Sequence, residues 1–423
     1  MNRFKRNLKW IAIATGATIA LLLVLNAYFV WNTGTRLERR LAELRQAGDP
    51  VQIADFARAP VPPEKNADVY LRRATSDLDA IQKELMVWYP KTIYPTGTLS
   101  APEKERLEKL FAAYSQLMPL LEQAADSPDY DPQLDYTLSP TRFLEPCMKH
   151  SSEHRVLYRV LRARCALLLA QGHNDEALAT QLLMLRLTRH WRREPFLLNY
   201  LVTAVCEHLA MGGLNQVLQT GPVSSSARQA LDAELALHDT IEGYRWALRN
   251  ERAYSLSSLR EMPGDRFWLT RGFANDLMLR LIHLFDRYLE KASRLYADAI
   301  ADKSHVSMPG GVPNVYGALV TLLEPALVSA REPSERVRAL SRSLRVLNAL
   351  QARAPSDDNS VPNIGDLALP TEATIDPFNG KSLIVKKAPE GWTVYSVGSD
   401  LVDNGGKLDG RTDVGAGPNS AAN

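Results

Sequence analysis

The feature that most constrains this chain is an uncharged stretch near its N-terminus. No Asp, Glu, Lys or Arg occurs between Trp10 and Thr35. A helix over this stretch would be roughly 39 Å long, enough to cross the roughly 30 Å hydrocarbon core of a bilayer. Trp10 and Trp31 lie near its two ends, and aromatic side chains favour membrane interfaces. The sequence therefore predicts one transmembrane helix over residues 10–32, with the lipid bilayer as its partner.

The charges that flank this stretch bear on its orientation. The preceding segment MNRFKRNLK is basic and has no acid, but four arginines follow between positions 36 and 45. Long domains downstream of a span are translocated largely regardless of their charge. We therefore expect residues 1–9 to form a cytoplasmic tail, with the N-terminus inside and the bulk of the chain extracytoplasmic. A cleaved signal peptide is the alternative, although cleavage after Ala27 would place Leu25 where a small residue is preferred.

The overall composition limits the classes of function. The chain has 50 Lys and Arg against 48 Asp and Glu, so its net charge is only +2, whereas nucleic-acid binding needs a concentrated positive field. Its three cysteines, Cys147, Cys165 and Cys206, form no CxxC pair, which argues against iron–sulfur clusters and zinc ribbons. We expect neither a nucleic-acid partner nor a resident cofactor. An odd number of cysteines prevents complete pairing, and the sequence does not select a disulfide.

Residues 33–354 are predicted to form a mainly helical extracytoplasmic domain. Apolar residues recur at helical spacing in several segments, first at Leu37, Leu41 and Leu44. The most regular stripe runs through Phe267–Ile300 and predicts a helix that packs into the core of the domain. A coiled-coil dimer helix is the alternative, because the stripe repeats at alternating spacings of three and four residues.

Capping and turn signals set the predicted helix boundaries. Asn66 is a predicted N-cap, and a helix capped by its first residue is expected over Ser100–Ala125. Residues 126–146 are rich in Asp, Pro and Tyr and predict a long surface loop. A buried helix is expected over residues 315–330, and a separate helix is expected to begin at Pro333.

The texture of the sequence changes after the helical domain. Two short segments, 382–387 and 392–398, are separated by a Pro-Glu-Gly turn and predict a β-hairpin. We therefore assign residues 355–415 to a small β-hairpin module. The chain is rich in Gly, Asp and Asn from Ser399 onward, and we expect most of this part to be disordered, with residues 416–423 as a disordered tail.

Several motifs of this module resemble the C-terminal hairpin of type II secretion major pseudopilins. They are Asp376-Pro-Phe-Asn-Gly-Lys381, Tyr395-Ser-Val-Gly-Ser-Asp400 and Asp403-Asn-Gly-Gly406. The chain is also similar to a group of uncharacterised bacterial proteins that combine one membrane span, a helical body and this hairpin. The resemblance implies a location in the bacterial inner (cytoplasmic) membrane. It also suggests an accessory of a pilus-like or type II secretion-related machine.

The resemblance further implies a calcium site, because such pseudopilins bind calcium in the loop after the hairpin. The matching ligands here would be Asp400, Asp403 and Asp413. Calcium takes roughly six to eight oxygen ligands, which carboxylates and backbone carbonyls can supply. A solvated acidic tail is the alternative. The chain departs from pseudopilins at its start, where Gly16 is followed by Ala17, so no prepilin processing is expected.

One string has the form of a catalytic motif. His150-Ser-Ser-Glu-His154 spells HxxEH, in which two histidines on one helical face bind zinc and the glutamate, here Glu153, activates a water. The motif predicts a zinc hydrolase only if a third ligand lies nearby. The alternative, which we favour, is a solvent-facing first turn of a helix, in which Glu153 interacts with the helix dipole.

These patterns together predict a single-pass, membrane-anchored helical scaffold or binding protein with an unknown envelope protein partner. The enzyme motifs GxSxG, GxxxxGK[ST] and GxGxxG do not occur in the sequence. An enzyme is therefore the less favoured class. The secretion accessory and the zinc hydrolase are the two alternative functions.

Overall fold

The computed structural model of the protein describes residues 2–88, 99–262, 267–302, 315–353 and 363–418. Over these ranges the fold is mainly helical with a small three-stranded antiparallel sheet, as predicted in outline. The helices are α1 (Asn2–Gln46), α2 (Ala67–Trp88), α3 (Ala101–Ala113), α4 (Leu117–Asp126), α5 (Pro140–Gln171), α6 (Asn174–Trp191), α7 (Leu197–Thr220), α8 (Ser225–Ala236), α9 (Glu242–Glu261), α10 (Trp268–Ala292), α11 (Tyr296–Ala301) and α12 (Val315–Ala352). The strands are β1 (Ile384–Ala388), β2 (Gly391–Ser396) and β3 (Val414–Ala416).

Helix α1 joins the apolar stretch and the following amphipathic segment into one continuous helix. Residues 6–25 are exposed throughout, and burial begins at Asn26. Its length and composition make α1 a candidate membrane anchor or signal sequence. Among the described residues, α7 is also long and apolar enough to cross a membrane, but more than half of its apolar segment is buried inside the protein.

Two large hydrophobic clusters hold the helices together. The first contains residues of helices α2 through α8, of α12 and of the sheet. The second joins the C-terminal part of α1 with α9 and α10. Leu37, Leu41 and Leu44 are buried in it, as predicted. The α10 stripe that includes Met278 and Phe285 lies in this second cluster. The core interpretation of that stripe is therefore confirmed, and the coiled-coil alternative is wrong for the buried positions.

Some boundaries differ from the prediction. The expected 126–146 loop ends early, because α5 begins at Pro140 and contains Pro146 in its interior. Proline suits the first turn of a helix, whereas inside a helix it removes one hydrogen bond. That loss is tolerated here because Phe143 and Cys147 on the same turns are buried in a third small cluster. The burial of these two side chains thus outweighs the tendency of Pro146 to interrupt a helix.

Two further helix predictions are corrected. The single helix expected over Ser100–Ala125 is two helices, α3 and α4, which are separated at Tyr114, where φ is −115° and ψ is 48°. The reverse holds near Pro333, where α12 continues through the predicted break as one helix. The N-terminal signals themselves are confirmed: Asn66 Oδ1 accepts from the Asp68 N–H at 3.1 Å, and a capping box links Ser100 with Glu103.

The predicted hairpin is present, and a third strand extends it. Strands β1 and β2 pair antiparallel around the tight turn between Ala388 and Gly391. Strand β3 pairs with β2 through Val394 and Ala416. The prediction of disorder over this part of the tail is therefore wrong, and residues 419–423 lie outside the described residues. A Cβ on the intervening Gly415 would overlap the backbone of β2, so glycine permits this close pairing.

The sheet is docked on the helical body. The Gly417 N–H donates to Asn215 Oδ1 at 2.9 Å, and Asn215 Nδ2 donates back to the Gly417 carbonyl at 3.0 Å. Val394 and Val414 belong to the same hydrophobic cluster as α7 and α12. The hairpin module therefore shares its core with the helical domain.

Candidate anion-binding cleft

A cleft of about 710 Å³ opens where the end of α1 and the loop after it meet the C-terminal end of α6 and the start of α9. This volume falls in the range of small-molecule sites, roughly 300–1,000 Å³. Its chemistry is defined by three groups of side chains. They are the arginines Arg45, Arg58, Arg189, Arg192 and Arg193, the aromatic residues Phe56, Tyr136 and Trp246, and the acids Asp49, Asp55 and Glu242.

The outer arginines give the cleft an excess of positive charge. Within the described residues, the exposed Arg45 guanidinium makes no ion pair or hydrogen bond. Arg193 Nη1 lies 3.1 Å and Arg58 Nη1 lies 3.7 Å from the same carboxylate oxygen of Asp129. One carboxylate thus serves two guanidinium groups. These three arginines retain donors that an entering anion can use, because a guanidinium presents five N–H groups.

The inner arginines are held in place by a buried network. Arg192 Nε donates to Glu207 Oε1 at 2.6 Å, and the same oxygen lies 3.2 Å from His238 Nδ1. His238 Nε2 lies 3.1 Å from Glu234, which pairs with Arg189 at 3.2 Å. Burial opposes ionisation of Glu207, but Arg192 and His238 outweigh it and lower its pKa to about 2. The network therefore fixes the Arg192 side chain at the floor of the cleft.

The N-terminus of α9 also faces the cleft. Thr240 Oγ1 accepts from the Glu242 N–H at 3.1 Å, and Gly243 and Trp246 line the wall. A Cβ on Gly243 would lie 3.0 Å from Tyr200 Cε2, so glycine lets this first turn pack closely. The unpaired N–H groups and the dipole at the start of a helix favour an anion.

The acids of the cleft are engaged with other partners. Asp49 pairs with Arg249 at 3.4 Å and with Arg252 at 2.5 Å. The Asp55 carboxylate accepts from the Val51 N–H at 2.9 Å. Glu242 lies 3.3 Å from Arg245. The charges of Asp49 and Glu242 are thus paired with arginines before a ligand enters, whereas Asp55 keeps its negative charge and is held by a backbone N–H. What remains is a basic cleft whose exposed aromatic surface at Trp246 can cover the apolar part of an anion.

The sequence did not reveal this cleft. Its residues come from five separate segments between positions 45 and 250, and each arginine alone resembles an ordinary surface charge. The one local hint is the run Trp191-Arg-Arg-Glu-Pro195 at the end of α6. That run contributes both floor and rim to the cleft, because it ends the helix where α1 and α9 converge.

The HxxEH string lies inside α5 and not in a first turn, so the interpretation as a solvent-facing helix start is wrong. His154 is buried, and its ring stacks on Trp191 at a centroid distance of 3.8 Å. Its Nε2 lies 3.2 Å from Glu194 Oε1. Glu153 Oε1 lies 3.8 Å from Lys149 Nζ. The described parts of the chain contain no group of three or more His, Cys, Asp or Glu that could hold a metal ion, and zinc at His150 and His154 stays a prediction.

Glu194 is instead the centre of a buried polar cluster. Tyr130 donates its hydroxyl to Glu194 Oε1 at 2.9 Å, and Asn199 Nδ2 donates to Oε2. Burial raises the pKa of Glu194 to about 7, against the opposing effect of these two donors. Burial also lowers the pKa of His154 well below its ordinary value. The cluster therefore holds a neutral histidine beside a carboxyl group that titrates near neutrality.

The three acids of the predicted calcium loop lie in the ordered segment between β2 and β3. The Asp413 carboxylate accepts backbone N–H groups of Asn404, Gly406 and Lys407, at 3.3, 2.8 and 3.1 Å respectively. Asp403 Oδ1 accepts from the Tyr395 hydroxyl at 3.0 Å, and Asp400 Oδ1 accepts from the backbone N–H of Val402 at 3.0 Å. These bonds close the loop on itself. Calcium binding stays a prediction.

Comparisons of the chain with protein-family models, with curated proteins and with solved structures found no match. The chemistry of the cleft and the exposure of α1 therefore carry the functional proposal.

Proposed function

We propose that this protein is a membrane-anchored, extracytoplasmic binding protein whose arginine-lined cleft takes an anionic ligand with an apolar part. The anchor is residues 10–32, with the N-terminus inside, in the bacterial inner membrane. Its support is the continuous exposure of residues 6–25, which as a helix extend about 30 Å, the thickness of a hydrocarbon core. The bulk of the folded chain follows on one side of this segment.

One observation carries the ligand class. The free guanidinium of Arg45, together with Arg58 and Arg193 on their shared carboxylate, surrounds a cleft whose wall includes the exposed Trp246. Guanidinium groups bind carboxylate and phosphate oxygens in pairs, and an aromatic face binds an apolar group. A carboxylate or phosphate on an aromatic or aliphatic body satisfies both surfaces. An unknown envelope protein partner could present such a group, or a small molecule could carry it.

Titration calorimetry on the full chain in lipid nanodiscs tests the ligand class. We expect phenyl phosphate to bind, inorganic phosphate to bind more weakly, and benzyl alcohol to give no heat. Arg45→Gln should weaken phenyl phosphate binding about tenfold, because it removes a charge-assisted hydrogen bond. Arg39→Gln is the matched control, since Arg39 is exposed on the same helix and does not line the cleft. Equal affinities for the two variants would refute the proposed site.

Extraction tests the anchor separately. We expect the full-length protein to stay with membranes in alkaline carbonate, and a reporter enzyme at the C-terminus to work only outside the cytoplasm. Release into the carbonate supernatant, or a product cut after Ala27, would contradict the anchor. Neither outcome changes the calorimetric test of the cleft, which concerns the folded body.

An accessory role in a pilus-like or type II secretion-related machine is our second proposal. It is supported by the hairpin, since β1 and β2 lie between the first and last of the motifs that carry the resemblance, and the loop after them is ordered. In-cell crosslinking from the exposed Val402 of that loop tests it. Adducts with pseudopilin-like subunits are expected, and crosslinks only within the chain would count against this role.

A further inference from the structure

The first turns of α10 expose an unusual amount of apolar surface. Phe267, Trp268, Leu269 and Phe273 are 66%, 49%, 54% and 43% exposed. We call these four residues the α10 aromatic patch. Large apolar side chains that cluster at a surface indicate an interaction site, whereas single ones need no explanation.

The patch lies directly beside the free part of α1. Asn26 Nδ2 donates to the Trp268 carbonyl at 3.3 Å, and the rings of Phe29 and Phe273 meet edge to face at 5.2 Å. Gly272 lies between them with its Cα against the Phe29 ring. The patch is therefore level with residues 26–29, the point at which α1 ceases to be exposed on all sides.

We propose that the α10 aromatic patch inserts into the interface of the same bilayer that α1 crosses, in the leaflet where α1 emerges, so that the body is held to the membrane at a second point. This inference rests on the proposed anchoring by α1. Trp268 is level with Asn26, six residues before the predicted end of the span at Asn32. Six helical residues rise about 9 Å, which matches the 5–10 Å depth at which interfacial helices bury apolar side chains.

The charges around the patch fit a lipid surface. Arg271 is exposed in the same turns of α10, and Arg36 is exposed on α1 one turn beyond Asn32. The Arg36 guanidinium would lie on the headgroup side of the aromatic rings, and Arg271, between Trp268 and Phe273, can extend its long side chain toward the headgroups, where both can bind lipid phosphates. Tryptophan and arginine in this order along the membrane normal are typical of an interface.

A second contact has a consequence for the cleft. One helix alone leaves the body free to tilt, whereas two points of contact restrict its angle to the membrane. Arg45 lies thirteen residues beyond Asn32 on α1, which is about 20 Å along the helix. The patch would therefore hold the cleft at a set height above the headgroups, within reach of a ligand that approaches along the surface.

Labelling with an environment-sensitive dye tests the insertion in the full chain. Trp268→Cys is labelled with the fluorophore NBD and the protein is placed in nanodiscs with or without phosphatidylcholine that carries a doxyl quencher near the headgroup end of the acyl chain. The native Cys147, Cys165 and Cys206 are buried and unpaired, and burial raises the pKa of each thiol, so they react slowly with the dye. The same label at Val402→Cys, on the exposed C-terminal loop, is the matched control.

We expect doxyl lipid to remove most of the NBD emission at position 268 and none at position 402. A label at Leu22→Cys, on the exposed part of α1, reports the anchor independently. It is read with lipid that carries the doxyl group near the end of the acyl chain, because residue 22 lies about 15 Å from Asn32, near the middle of the bilayer, and this lipid must quench it if α1 crosses the bilayer. Quenching at 22 without quenching at 268 would overturn this inference and leave the anchor intact. Absence of quenching at both would overturn the anchor as well.

Two further measurements keep the result unambiguous. Leu269→Cys places the label on a neighbouring residue of the patch, so that a folding defect of one variant does not decide the outcome. Aqueous iodide distinguishes lipid from protein cover. A label at 268 that is shielded from iodide but not quenched by doxyl lipid would mean that a second copy or another protein covers the patch, which overturns the lipid assignment.

Discussion

The buried carboxyl of Glu194 makes the stability of this protein depend on pH in a direction opposite to that of most acids. Glu194 is 3% exposed, and burial raises its pKa from 4.5 to about 7. The folded state therefore keeps a proton on this group over a range in which the unfolded chain has lost it. Stability from the neutral carboxyl is fully present below pH 4.5 and is lost as the pH rises from 4.5 to 7.

The magnitude follows from the two pKa values. With one group at 4.5 in the unfolded chain and about 7 in the folded chain, the free energy of unfolding falls by about 2.5 kcal/mol between pH 5 and pH 8. Glu194→Gln removes this titration and keeps a side chain of the same shape as the neutral acid. The variant should match the natural protein near pH 5 and be the more stable of the two, by about 2–3 kcal/mol, at pH 8.

Urea unfolding of the full chain in detergent, followed by near-UV circular dichroism at pH 5, 6, 7 and 8, measures this difference. The comparison between the two proteins cancels the titrating groups that do not contact Glu194. His154 does contact it, with Nε2 3.2 Å from Glu194 Oε1, but burial lowers the pKa of His154 well below its ordinary value, so this ring is neutral in the folded state of both proteins. Glu122→Gln, an exposed residue of α4, is the control and should leave the pH dependence unchanged. Parallel curves for Glu194→Gln and the natural protein would show that Glu194 does not titrate in this window, and would refute the reasoning.

Three further perturbations test the packing. Gly272→Ala places a Cβ 2.8 Å from Phe29 Cε1 and should lower the free energy of unfolding by about 1–3 kcal/mol, measured by thermal unfolding. The double variant with Phe29→Ala should recover this stability, and no recovery would locate the strain elsewhere. Arg252→Met removes a 1% exposed guanidinium that pairs with two carboxylates. It should lower the free energy of unfolding in urea by about 2–3 kcal/mol, and an unchanged urea midpoint would mean that the pairs contribute little. Asp413→Asn leaves three backbone N–H groups with one acceptor oxygen fewer. It should destabilise the folded C-terminal loop by about 1–3 kcal/mol, seen as faster proteolysis of that loop, and equal cleavage rates would contradict this role.

Local patterns were enough to predict several parts of the fold. The exposed apolar part of α1, the helical spacing of the buried Leu37 and Leu41, and the cap at Asn66 can each be recognised from residues close together in the sequence. Such features follow from the helical period and from the donors at a helix start. The hairpin belongs to the same group, because the short turn that ends at Gly391 brings its strands together.

Other parts were decided only when the chain packed. Pro146 lies inside a helix because its neighbours are buried, and β3 forms because Val394 offers it an edge. The cleft gathers its five arginines from segments up to about 150 residues apart, and Glu194 meets Tyr130 across 64 positions. The charge of a cleft and the pKa of a buried acid depend on which distant groups surround them, and only the tertiary fold decides those neighbours.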